Sequence, residues 1–221
     1  MTPVLDVRDR LAHILWIGGA PCAGKSSVSR VLAEKYEVSI YDLDWHYARE
    51  DRFRSGPAAR WWGGHTLDER WVDIAGDELF RRSTAVWNEQ FPSALEDLRG
   101  QSGSSPIIVE GPGALPWLVA PVLHDSRQAI FLMPDESFRD RVVADRLSAR
   151  SGVPYWRTRD PDQARSKHRE RDRRLSQQIE LSCRDLGLSH MRVSDGTNIE
   201  TIVAAVEQHF ARHLPKAPPR R

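Results

Sequence analysis

Gly19-Ala20-Pro21-Cys22-Ala23-Gly24-Lys25-Ser26 follows directly on the apolar run Ile14-Leu15-Trp16-Ile17. The stretch has the form G-x-x-x-x-G-K-[ST], with a strand-like run before it and helix-compatible residues after it. Its glycines let the backbone curl so that successive N–H groups face inward and cradle anionic oxygens. In such a loop Lys25 reaches the terminal phosphates, the Ser26 hydroxyl meets Mg²⁺, and the next helix adds its positive N-terminal end. Gly19, Ala20, Pro21, Cys22, Ala23, Gly24, Lys25, Ser26 and Ser27 are therefore the expected nucleotide site, with ATP and Mg²⁺ as the expected ligands. Cys22 has two readings: a side chain turned away from the phosphates, or a thiol made acidic by the helix N-terminus and open to oxidation.

Outward from the loop, five apolar runs flanked by turn residues predict strands: His13–Gly18, Val38–Tyr41, Pro106–Glu110, Gln128–Met133 and His190–Val193. Helical spacing falls between them. Val28, Val31, Leu32 and Tyr36 mark a helix after the loop, and Ser137–Arg150 marks another. Leu175, Ile179 and Leu186 form a stripe closed by Gly187, and Ile199, Ile202, Val203, Val206 and Phe210 form a last helix. Strands alternating with helices predict an α/β fold, a five-stranded parallel sheet sandwiched by helices. One such domain would span residues 1–213, and the proline-rich residues 214–221 are expected to be a disordered tail.

Residues 44–105 exceed what one crossover needs. They hold Trp45, Trp61, Trp62, Trp71 and Trp87, five of the eight tryptophans, a density that marks either a satellite core or a ligand-binding cover. The segment opens with a loop-like basic stretch (Arg49, Arg52, Arg54 and Arg60, then Gly63-Gly64) and continues in two predicted helices, Leu67–Phe80 and Thr84–Leu98. It would hang over the C-terminal edge of the sheet, where ligands of such folds bind.

The 221 residues carry 32 basic and 31 acidic side chains, a net charge of +1 that argues for neither nucleic acid nor an anionic membrane as partner. The N-terminus lacks the apolar core of a signal peptide, and no run is long enough to span a bilayer. Cys22 and Cys183 offer neither zinc spacing nor a disulfide framework. A soluble, cytoplasmic protein is expected.

Asp42-Leu43-Asp44 lies at the end of the second strand. Residues two apart on a strand share a face, so an extended conformation would aim both carboxylates at the phosphate loop. One would then organise Mg²⁺ through water, and the other would take a proton from an attacking hydroxyl. A strand-end turn is the other use of such a pair. Glu110 ends the third strand and is placed to order a metal-bound water or to contact acceptor hydroxyls. Gly111-Pro112-Gly113 permits close backbone approach. His46 and His65 are more readily read as packing or surface groups than as bases.

Gly19–Ser27, Asp42-Leu43-Asp44 and Glu110-Gly111-Pro112-Gly113 together resemble the small P-loop kinases. That group includes shikimate and gluconate kinases, chloramphenicol phosphotransferase and the zeta-toxin sugar-nucleotide kinases. The resemblance implies a nucleoside-kinase-like P-loop NTPase fold, with a helical insertion at 44–105 that binds the acceptor and a lid at 146–165. It implies catalytic roles for Lys25 and for Asp44 as base. Asp42 and Ser26 would serve the metal, and Asp42, Asp44, Glu110 and Gly111 the acceptor. Arginines carried over the transferring phosphoryl group stabilise its spreading charge, a role that falls first to Arg146 and Arg150 and then to Arg157 and Arg159. Asp195-Gly196-Thr197 would lie near the adenine. The basic run Arg165–Arg174 reads as a solvated helix face. The expected function is phosphoryl transfer from ATP to the hydroxyl of a small-molecule acceptor. The alternatives are a nucleoside monophosphate kinase, with Arg52, Arg54 and Arg60 holding the acceptor phosphate, or an ATPase-like switch.

Overall fold

Strands β1 (Ile14–Gly19), β2 (Ser39–Asp42), β3 (Ile107–Glu110), β4 (Ala129–Pro134) and β5 (Ser189–Val193) each lie within one residue of a predicted run. They pair in parallel throughout, in the order β2-β3-β1-β4-β5. The computed structural model describes residues 7–48, 56–101 and 105–216. In chain order its helices are α1 (Val7–Arg10), α2 (Lys25–Tyr36), α3 (Leu43–Tyr47), α4 (Pro57–Gly64), α5 (Leu67–Trp71) and α6 (Gly76–Gly100). These are followed by α7 (Pro116–Val119), α8 (Glu136–Ser148), α9 (Pro161–Asp185) and α10 (Ile199–Phe210).

The period of two along each strand divides the core between two faces. Ile14 and Trp16 of β1, Ile107 and Val109 of β3, and Ala129 and Phe131 of β4 pack against α6, α7 and α9, through Phe91, Leu98, Val119, Leu175 and Ile179. Their neighbours Leu15, Ile17, Ile108, Ile130 and Leu132 pack against α2 and α10, through Val28, Leu32, Ile202, Val206 and Phe210. Each fully buried Val, Leu, Ile or Phe among these contributes roughly 1.5–3 kcal/mol over leaving it in water. With both faces covered and the phosphate loop leaving the end of β1, this is the three-layer α/β P-loop arrangement.

The register fixes the site. Glu110 pairs with Ile17 on one side and with Asp42 on the other. The start of the phosphate loop, the end of β3 and the end of β2 thus share one level at the C-terminal edge.

The insertion differs from its predicted form. Residues 57–64, expected as loop, are helix α4, started by Pro57 at its first position. The break expected near residues 81–83 falls instead at residues 72–75, and α6 runs unbroken through Pro92 for 25 residues. Thr84 directs its hydroxyl back to the Phe80 and Arg81 carbonyls at 3.0 Å, so it rides in the helix rather than capping it. Arg49, Arg52 and Arg54 lie outside the described residues, as do residues 217–221 of the expected tail. Leu214 packs on the α2–α10 side of the core.

A third cluster sits above the sheet edge and joins the insertion to the expected lid. Cys22, Trp71, Val72, Leu79, Val143, Tyr155 and Ala164 are its buried members. Trp71 packs edge-on against Tyr155 and His168, at centroid distances of 6.2 and 5.1 Å. Among the tryptophans of the insertion, Trp71 is therefore satellite core, whereas Trp45 is 71% exposed.

Candidate active site

Backbone geometry sets the loop. Gly19 has φ of +120°, and a Cβ there would stand 1.9 Å from the Leu132 carbonyl oxygen, so only glycine fits against β4. Gly24, at φ +82°, turns the chain into α2. Between them Cys22 also holds positive φ, 65°, a strained conformation for a residue with a side chain. Lys25 is buried and donates from Nζ to the Ala20 carbonyl at 2.7 Å, across the mouth of the loop.

Pro21 through Ser27 share a cleft of about 110 Å³ with Asp44, Glu110, Pro112 and Arg146. Burial draws the Lys25 ammonium below its ordinary pKa, while Glu110 and Asp44 oppose that shift. The Asp44 carboxylate keeps an open side toward the cleft, but the surrounding protein displaces most of its water. Desolvation first, then the nearby Asp42 and Glu110 charges, raise it to about 6, against the opposing pull of Lys25 and Arg171. Glu110 is also pushed up by burial, partly offset by a hydrogen bond from the Ser26 side chain and by Lys25. Three charged groups that bias one another thus converge on one small space.

Asp44 arrives there by a different route from the predicted one. The strand ends at Asp42, whose carboxylate caps α3 by accepting the Trp45 N–H at 3.0 Å. Asp44 is consequently a first-turn helix residue, and the two carboxylates do not share a strand face. Asp42 lines a separate outer groove, with Ile40, Trp45, His46 and Glu96 among its neighbours. Gly111, at φ +142°, brings the chain against Leu43, where a Cβ would come within 2.9 Å of the leucine Cβ. It thereby seats the start of α3 on the end of β3, and Pro112, rather than Gly111, lines the cleft.

Of the expected lid arginines, Arg146 reaches the loop, with Nη1 3.7 Å from the Cys22 sulfur. Arg150 lies just past α8, exposed and at φ 47°, and lines none of the cavities described here. Arg157 is exposed as well. Arg159 pairs with Asp73, and its backbone N–H donates to Asp68 at 2.8 Å, so it fastens this segment to the insertion. Asp195 pairs with Arg141 of α8. His46 is buried among Tyr41, Ser93 and Asp97, and His65 stacks on Trp61 while its Nδ1 donates to the Trp61 carbonyl at 2.7 Å. Both are packing groups. The acidified form of Cys22 is not found either: the thiol is 9% exposed, and burial raises its pKa despite the nearby Arg146.

The solvated helix face expected over Arg165–Arg174 does not hold at Arg171 and Asp172, which turn inward toward Arg139 of α8, a residue the sequence did not single out. Asp172 is buried on α9, and both of its oxygens are held by guanidinium groups, Oδ2 by Arg139 and Oδ1 by Arg171. The signal was the apolar stripe itself. Extended backward from Leu175 by helical steps, it passes through Asp172, His168 and Ala164, all buried.

Oxygen chemistry for Mg²⁺ is present in the Ser26 hydroxyl beside the Glu110 carboxylate. One or two protein oxygens, completed by phosphates and water, suit that ion. Among the described residues no cluster of three or more His, Cys, Asp or Glu side chains is arranged to hold a metal, and no helix is long and apolar enough to cross a membrane.

No family model and no curated protein matches the chain by sequence. Among solved structures it is similar to an uncharacterized protein from Eubacterium ventriosum ATCC 27560, at 16% identity over 90% of this chain and 98% of that one, with a TM-score of 0.43. It is also similar to a gluconokinase from Sinorhizobium meliloti 1021, at 15% identity over 90% and 91% of the two chains, with a TM-score of 0.43. Likeness at this level identifies no substrate.

Proposed function

We propose that the chain is an ATP-dependent kinase that transfers the γ-phosphoryl group to a hydroxyl of a small molecule. The observation that carries this reading is the convergence of Asp44, Lys25 and Arg146 on the cleft of the phosphate loop. A loop that only bound a nucleotide would need no carboxylate at its rim with its pKa raised toward neutrality. A base in that position is what a hydroxyl acceptor requires.

In this reading the loop N–H groups and Lys25 hold the triphosphate, and Lys25 exchanges its bond to the Ala20 carbonyl for phosphate oxygens. Ser26 and Glu110 would hold Mg²⁺, which when bound would neutralise charge on the phosphates. Asp44 accepts the proton of the acceptor hydroxyl as that oxygen attacks in line. Arg146, at the end of α8, meets the charge that spreads over the phosphoryl oxygens. The acceptor lies between Asp44 and the insertion.

The test is ATP consumption measured against pools of sugars, nucleosides, nucleotides and amino-alcohols. Acceptor-dependent ADP release that disappears in Asp44→Asn and in Lys25→Ala supports the kinase. The same slow ADP release with every pool, unaffected by Asp44→Asn, would overturn it in favour of a switch-like ATPase.

A further inference from the structure

Arg146 is exposed and pairs with no carboxylate among the described residues, a setting in which an arginine side chain ordinarily keeps its rotamer freedom. Its position in this fold is nonetheless defined from three directions. First, α8 ends in the paired bonds of a Schellman turn. The Arg150 N–H donates to the Leu147 carbonyl at 3.0 Å, and the Ser151 N–H to the Arg146 carbonyl at 2.8 Å. Second, the chain doubles back so that Gly152, at φ +75°, lies against the Arg146 stem, where a Cβ would come within 3.1 Å of Cδ. Third, at the far end of the side chain, Nη1 donates toward the Cys22 sulfur at 3.7 Å. The guanidinium held in this way lines the phosphate-loop cleft.

Both turns beside Arg146 are strained. Among the described residues Cys22, Glu37 and Arg150 take positive φ without being glycine, and two of these three flank Arg146. Glycine would adopt the φ of 65° at position 22, or of 47° at position 150, without a steric penalty. The Arg150 side chain is exposed, so the strain there serves the turn that brings Gly152 back. At position 22 a glycine could follow the same course, but it would remove the one phosphate-loop side chain in the third cluster, where Cys22 packs with Val143 and Tyr155. What the cysteine adds is a wall and a sulfur acceptor for Arg146. Strained residues persist where the surrounding structure over-determines them. An N–H···S contact is weak, but beside a stem already confined by Gly152 it selects one direction for the guanidinium.

We propose that Cys22 and Gly152 are positioning residues that aim the Arg146 guanidinium at the phosphate-loop cleft before any ligand arrives. The catalytic use of that arginine rests on the kinase reading. A guanidinium already aimed loses little freedom when charge spreads over the phosphoryl oxygens, whereas an unheld one must be ordered in the transition state.

Two measurements test the proposal. The first is the heteronuclear NOE of the arginine Nε–H groups in the full, ligand-free chain, with Arg146 and Arg150 identified by the loss of their signals in Arg146→Lys and Arg150→Lys. Arg146 should be ordered in the wild type and as mobile as Arg150 in Cys22→Gly. An Arg146 already as mobile as Arg150 in the wild type overturns the proposal, whatever the chain does with ATP. The second is a double-mutant cycle on acceptor-dependent ADP release, with Mg·ADP affinity measured by calorimetry as the control for the loop. Cys22→Gly and Gly152→Ala should each lower kcat about tenfold with Mg·ADP affinity retained, and neither should lower it further in an Arg146→Gln background. Where Gly152→Ala does not fold, Gly152→Asn tolerates the left-handed conformation better, still sets a Cβ against the stem and should behave alike. Losses that repeat in full in the Arg146→Gln background would overturn the positioning role. A wild type in which no acceptor raises ADP release overturns the kinase reading and with it the catalytic use of Arg146, while the NOE still decides whether that arginine is held.

Discussion

The Asp42 carboxylate accepts the backbone N–H of Trp45 at 3.0 Å, and this one bond decides where Asp44 points. It closes the first turn of α3 immediately after the edge strand, so Asp44 swings from a strand face to the rim of the phosphate loop. The same bond occupies Oδ1 of Asp42 and leaves that residue in the outer groove.

A cap and a metal ligand answer differently to substitution. Asp42→Asn retains a capping oxygen and should keep both stability and turnover near wild type. Asp42→Ala should lose about 1 kcal/mol of stability together with much of the turnover, because α3 frays and Asp44 is released. Chemical denaturation beside an ATP-consumption assay reads both. Loss of turnover in Asp42→Asn at unchanged stability would return Asp42 to the metal.

The divergence between Asp42 and Asp44 also shows how far the sequence could be read. The central strands β1, β3 and β4 were legible because each is a run of buried apolar residues bounded by turns, the largely exposed edge strands β2 and β5 from shorter runs beside turn residues, and the loop after β1 from its spacing alone. The conformation after Asp42 was not, because Asp-x-Asp serves a strand continuation and a helix cap equally well. Nor was the Arg139–Asp172–Arg171 bridge. Amid alternating arginines and acids, Asp172 looks solvated until the stripe from Leu175 is followed back. The α5–α6 break was misplaced because Ser83-Thr84 resembles a helix start, while Arg81 and Arg82 pair with Glu78 and hold that turn helical. Charge and sequence position favour Arg150 as a lid residue, but the turn at the end of α8 leaves it exposed.

Turnover should depend on the protonation of Asp44. Its pKa is raised to about 6, chiefly by desolvation, and in the proposed mechanism the carboxyl must be ionised to accept a proton. The rate should therefore fall on the acid side with a midpoint near that value. Removing a positive charge that favours the carboxylate, as in Arg171→Gln, should move this limb to higher pH. The stability contribution has the opposite sense. The folded state holds the proton more tightly than the unfolded chain, whose carboxylate titrates near 3.8, so this group's contribution to stability declines as pH rises between the two values. Asp44→Asn should accordingly stabilise the fold near neutrality and have no such effect in acid. Rate–pH profiles and melting curves across the same buffers test both halves.

His168 provides an acid limb of opposite sign. Burial between Trp71 and Tyr155, reinforced by Arg171, lowers its pKa to about 3, while Nδ1 donates to the Ala164 carbonyl at 2.9 Å. The unfolded chain takes up a proton near 6.5 and the folded one does not. Stability from this group is thus full above that value and is lost as pH falls toward 3. Asp172, whose pKa lies below its ordinary 3.8, adds its own loss only at the acid end. Between about pH 4 and about pH 6.5 the difference in melting temperature between wild type and His168→Phe should change with pH. A difference that stays constant across that window would mean that His168 titrates alike in both states.

Cys22 should be chemically quiet despite its place in the phosphate loop. A thiol at a helix N-terminus is reactive when that end and nearby cations stabilise the thiolate and solvent can reach it. Here the side chain is packed with Val143 and Tyr155, and burial outweighs Arg146 and raises its pKa. Cys183, on the buried face of α9 and 1% exposed, is pushed up to about 12. Neither cysteine should react with a maleimide in the native protein near neutral pH, and both should react in denaturant, as counted by intact-mass spectrometry. Fast native labelling of one thiol, blocked by ADP and absent in Cys22→Ser, would show instead that the third cluster opens readily and that the loop senses oxidants. Slow labelling at the rate of global unfolding would place Cys22 among the structural cysteines, with its side chain part of the packing that holds Arg146 beside the loop.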